Sequence, residues 1–144
     1  MGKLSHLRFI LGTVSSRAFA VHEANTSNRT KVVALRAWAL QAGCPLSASQ
    51  ASFAWDAVAG QSAATGTAPG LWTKDRIVAF VWGTGSFVAA ERALPTQGLA
   101  DALWALLRWF EATGQLLPGS DPIEDLGAAL QSWAGVTWRE RRAG

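Results

Sequence analysis

Tyrosine is missing from this sequence, and the residue types that most often do covalent, redox or metal chemistry are scarce: one cysteine, Cys44, and two histidines, His6 and His22. A lone cysteine excludes an internal disulfide, so stability must come from packing, and a reducing, cytoplasmic setting is the natural expectation. Neither histidine belongs to an HExxH or CxxC spacing, so a metal site would have to assemble from scattered carboxylates. Cys44 precedes Pro45 and reads as a small apolar residue in a turn, since a nucleophilic thiol needs a neighbouring base. Gly83-Thr84-Gly85 begins like a dinucleotide fingerprint, but Val88 stands where the last glycine belongs and no βαβ unit surrounds it. No Walker motif occurs. No catalytic residue, cofactor, metal or small-molecule substrate is therefore expected.

Long apolar runs are absent too. The longest, Ile77 to Ala90, is bounded by Arg76 and Glu91, short of the ~20 residues that a bilayer requires. Residues 1–20 imitate a secretory signal, with Lys3, His6 and Arg8 before an apolar stretch. Phe9 to Val14 is shorter than an ordinary signal core, and Arg17 stands where a cleavage region is uncharged, so the expectation is a first helix over residues 4–20 and no membrane contact.

Charged residues make up only 16%, against roughly 25% in an ordinary soluble domain. Hydrophobic residues reach 49% and include eight tryptophans. Each indole buries about 150–250 Å² and wants a partner for its N–H, so this number exceeds what packing a domain of this size needs. Some rings are expected at a surface covered by a partner.

The 144 residues suit a single all-α domain, a compact bundle of about five to six helices. Thr30 can cap a helix to about Ala42, with Gly43 as a left-handed stop. Ser47 and Gln50 form a capping box for a helix to about Ala59, closed by Gly60, and the glycine-rich residues 60–70 read as a flexible loop. Thr96 can cap a helix to Ala112 stopped at Gly114, with Leu99, Leu103, Leu106, Leu107 and Phe110 inward. Asp121-Pro122-Ile123-Glu124 starts a helix that Gly135 ends, its stripe made of Ile123, Leu126, Leu130 and Trp133, and residues 136–144 follow as a basic tail. Residues 77–88 fit either a β-hairpin or a helix broken at Gly83 and Gly85. Thr73 and Asp75 make a good helix start, so helix is favoured, with Ile77, Phe80, Val81, Thr84, Phe87 and Val88 on one side.

Charge is divided along the chain. Residues 1–42 hold six basic residues against Glu23, residues 43–138 hold four basic against eight acidic, and Arg139, Arg141 and Arg142 flank Glu140 at the end. A basic front can meet phosphates and an acidic middle a basic protein. Arg8, Arg17, Arg29, Lys31 and Arg36 are the candidate nucleic-acid contacts, with Arg29 and Arg36 seven residues apart and pointing the same way. A helix-turn-helix over residues 31–58 is the competing arrangement, but its second helix offers no Arg or Lys to meet DNA. Trp104 falls on the charged side of its helix one turn before Arg108, and Trp138 lies beside the basic tail. These three are the candidate protein interface, unless Arg108 or a loop of the same chain covers Trp104.

The segment Leu94 to Phe110, LPTQGLADALWALLRWF, resembles the small helical subunit of multisubunit CRISPR effector complexes, in which a Pro and then a Gly-Leu pair open a Leu-rich helix. The resemblance implies a non-catalytic RNA- or single-stranded-DNA-binding subunit of a nucleoprotein assembly, stacked beside copies of itself and other subunits. The alternative is a protein-binding adaptor or immunity-type inhibitor with no nucleic-acid role.

Overall fold

The computed structural model describes residues 29–143, with side chains through Gly135. The helix expected over residues 4–20, with Arg8 and Arg17, lies outside the described residues. Helical backbone occupies residues 29–41 (α1), Ala48–Thr65 (α2), Lys74–Trp82 (α3), Thr84–Glu91 (α4), Thr96–Ala112 (α5) and Ile123–Ala143 (α6). No strand occurs among the described residues, so residues 77–88 are helix broken at the glycines. No single described helix is long and apolar enough to cross a membrane.

α5 is the centre of the core. It buries Leu99, Leu103, Leu106, Leu107 and Phe110 together with Ala100, Ala102 and Ala105, and it packs against both α2 and α6 while α3 lies on α6. Burying each leucine is worth about 1.5–3 kcal/mol, so this one stripe supplies much of the drive to fold. The start of α2 is fixed as its sequence requires. The Ser47 hydroxyl accepts from the Gln50 amide and the Gln50 side chain accepts from the Ser47 amide, each at 3.0 Å. Gln50 Nε2 also donates to the Gly98 carbonyl at 3.2 Å, tying α2 to the first turn of α5.

Several expected boundaries are corrected. Arg29 is already helical, so Thr30 lies inside α1. Pro95 occupies the cap position of α5 and Thr96 is its first residue. α2 does not stop at Gly60 but continues to Thr65 and ends on Gly66 at φ 74°. The cause is Gln61, whose buried Oε1 accepts from Arg76 Nε at 2.7 Å and so holds the last turn in register. Residues 66–73 are accordingly not a floppy loop. Arg76 donates to the carbonyls of Ala68 and Leu71 at 2.6 Å each and to the Ser62 hydroxyl at 3.0 Å, and its guanidinium lies 4.1 Å from the centre of the Trp72 ring. All its hydrogen-bond partners are neutral, and burial pushes its pKa below the ordinary value.

At the α3–α4 break, a Cβ on Gly85 would come within 2.5 Å of the Phe80 ring and 2.7 Å of the Phe80 carbonyl oxygen. Only glycine allows that approach. The break also turns the inward face. Ile77, Phe80 and Val81 are buried on α3, whereas Gly85 and Ala89 are the buried positions of α4 and Phe87 points outward, contrary to the single stripe expected. At the other end, Asp121 turns its carboxylate to the Lys74 amide at 2.7 Å, and Thr73 accepts from the Arg76 amide. The aspartate expected to cap α6 therefore caps α3, where the helix dipole favours it. α6 runs past Gly135 to Ala143, so the basic tail continues a helix.

Candidate interaction surfaces

Among the described residues no three His, Cys, Asp or Glu side chains come together in a way that could hold a metal ion. What the fold offers instead is a set of surfaces.

Arg29 and Arg36 do share one, as their spacing predicts. They line an open groove of about 660 Å³ together with Val32, Val33, Ala48, Ser52 and Asp56. Arg36 Nε donates to the Leu46 carbonyl at 3.2 Å, which orients that side chain along the groove. The opposite wall carries a paired carboxylate. Asp56 Oδ2 lies 2.6 Å from Arg92 Nη2, with the two side chains 36% and 33% exposed, and a pair this open contributes at most about 1 kcal/mol. Lys31 departs from the expected patch. Its ammonium sits 5.1 Å from the centre of the Trp55 ring and lines a separate groove. The cluster read from the sequence is thus divided between two faces of α1, because a residue two positions from Arg29 on a helix points nearly the opposite way.

Trp104 and Arg108 find their neighbours within the chain. A Cβ on Gly127 would approach two carbons of the Trp104 ring to 2.8 Å, so the ring is packed against the bare backbone of α6. The Arg108 guanidinium lies between Trp38 and Trp104, 5.7 and 6.0 Å from the ring centres, with Nη1 donating toward Cys44 Sγ at 3.7 Å. Both side chains are half-buried. Trp138 lies outside the residues whose side chains are described.

The aromatic residues most open to solvent are others. Among the described residues Trp82 is 68% exposed and Phe87 66%, and the aliphatic Val78 is 52% exposed. Val78 and Trp82 stand one turn apart on α3, and the Trp82 ring meets that of Trp133 on α6 edge to face, centres 6.4 Å apart. The signal for them was present in the sequence, since Val78 and Trp82 are large apolar residues off the inward stripe of their helix. On α1, Val33 and Leu40 are exposed as well, opposite the buried Leu35 and Ala39.

Comparisons with protein families, curated proteins and solved structures return no counterpart of this chain. The stretch Leu94 to Phe110 is the central core helix, so the leucines that carry the resemblance to a CRISPR small subunit are those that any buried helix at this position would need.

Proposed function

We propose that this protein is a non-catalytic helical subunit of a larger assembly, docking a neighbouring protein through the α3–α4 face around Trp82. The supporting observation is the exposure of Trp82, Phe87 and Val78, where the other large apolar side chains of α3 and α5 are buried or half-buried. A large aromatic residue left in water forgoes burial free energy, and tryptophan is the residue most enriched at the centres of protein interfaces. Reversing the character of the face with Trp82→Asp and Phe87→Asp is expected to release the partner while leaving the domain folded, with a lower thermal midpoint only in the first variant, which loses the edge contact with Trp133. Retention of the partner by both variants would remove the reading.

A nucleic-acid role is the second component, favoured by the shared groove of Arg29 and Arg36. Two arginines on one edge contact the phosphate backbone of RNA or single-stranded DNA without reading sequence. Only two described arginines line the groove, and the Asp56 carboxylate facing them is already paired with Arg92, so the expected binding is modest and lost as salt rises. A CRISPR small-subunit-like position beside a guide, target or displaced strand is the specific form of this proposal. Charge reversal at Arg29 and Arg36 should abolish binding to an unstructured RNA at low salt. If wild-type protein binds neither RNA nor single-stranded DNA there, the adaptor or immunity-type reading without nucleic acid stands alone.

A further inference from the structure

The groove on the other face of α1 has a different chemistry. Lys31, Trp55, Val58, Pro69, Phe110 and Leu117 are among its lining residues, and it encloses about 400 Å³, within the roughly 300–1,000 Å³ typical of small-ligand clefts. We propose that it is a binding site for a small hydrophobic carboxylate, whose apolar body lies against Trp55, Phe110 and Leu117 and whose charge meets Lys31.

Charge complementarity selects the ligand class. Among the described residues no acidic side chain lines the groove, and Lys31 is the one charged residue that does. Its ammonium is held at the rim over the face of Trp55, where a cation–π contact keeps it over apolar surface and available to an anion. Behind the 68–71 wall lies the Arg76 charge, with no carboxylate among its hydrogen-bond partners. Both cations favour a negative group, and the walls favour an aromatic or aliphatic body.

The site is preformed, which lowers the entropic cost of binding. Arg76 clamps the Ala68 and Leu71 carbonyls, Trp72 Nε1 donates to the Pro69 carbonyl at 2.7 Å, and the Leu117 amide donates to the Gly70 carbonyl at 2.9 Å. Gly70 presses so closely on Gln115 that a Cβ would stand 2.2 Å from its carbonyl oxygen. A wall fixed at each of these points holds its shape without ligand.

The test uses the full chain and two probes of one shape, 1-naphthylacetate and its neutral amide. Trp55 lines the groove, and its buried indole N–H has no hydrogen-bond acceptor among the described residues, so its ¹⁵N–¹H resonance, assigned by loss in Trp55→Phe, reports on the groove. The expected result is a shift of that resonance by both probes, with the acid bound about three- to ten-fold more tightly. Lys31→Met should bring the acid down to the amide's affinity, and Ala59→Trp should block both with an unchanged thermal midpoint. Absence of any shift at millimolar probe overturns the proposal, whether another part of the chain or a second copy fills the groove. Equal affinities for acid and amide, or a preference that survives Lys31→Met, overturn it as well.

Discussion

Arg76 Nε donates to Gln61 Oε1 at 2.7 Å between two buried side chains fifteen residues apart. This contact joins the end of α2 to the start of α3 and fixes the turn between them. Replacing Gln61 with Leu leaves a buried guanidinium N–H without an acceptor. The expected cost is about 2–3 kcal/mol, read as a lower urea midpoint at unchanged m-value. Arg76→Lys should cost a similar amount, because an ammonium cannot reproduce the fork that reaches Gln61, Ser62, Ala68 and Leu71 at once. Amide hydrogen exchange should rise first at residues 61–72 in both variants.

The pair Trp104 and Gly127 makes a second expectation. Gly127→Ala puts a methyl group into the indole and should destabilise by about 1–3 kcal/mol. Trp104→Leu in the same chain removes the clash, so the double variant should be more stable than the sum of the single losses by about 1 kcal/mol or more. Strict additivity in the double-mutant cycle would show that the ring is not seated on that glycine.

Ala93 ends α4 at φ 54°, the one described non-glycine residue with a positive φ, while the Leu94 amide donates to the Ala89 carbonyl at 2.8 Å. The left-handed conformation costs a non-glycine residue about 1–2 kcal/mol, partly offset by the greater unfolded-state entropy of glycine. Ala93→Gly should therefore stabilise the domain by a few tenths to about 1 kcal/mol, seen as a higher thermal midpoint. A lower midpoint would contradict the assignment of the turn.

Much of the fold is legible in the sequence because it is written in local chemistry. Ser47 with Gln50, Thr73 with the first turn of α3, and the spacing of Leu99, Leu103, Leu106 and Phe110 each specify structure within a few residues. The departures come from contacts that local pattern does not encode. Gly60 and Gly135 look like helix stops, yet the Gln61–Arg76 bond carries α2 past the first, and α6 continues through the second. Asp121 looks like the cap of its own helix and serves another one 47 residues away. The candidate surfaces were legible to a lesser degree. Arg29 and Arg36 follow helical spacing into one groove, but Lys31 is their neighbour in sequence only, and helical geometry turns it to another face. Trp104 stands out in the sequence because it falls among charged residues, while its partner in the fold is the bare backbone at Gly127. Helical spacing carried unchanged across the glycine break puts Phe87 inward, whereas the break at Gly85 turns the face and leaves Phe87 exposed.

The proposal for Trp82 is that another protein covers this face in the working assembly. It is tested most directly by placing a photo-crosslinking amino acid at position 82 of the full chain in its native cell and identifying what the activated group captures. The account predicts one dominant protein adduct, reproduced from position 87 and missing when the group is placed at the exposed Glu111 on α5. A chain that stays uncrosslinked at 82 and 87, or that gives the same scattered adducts from all three positions, would contradict it.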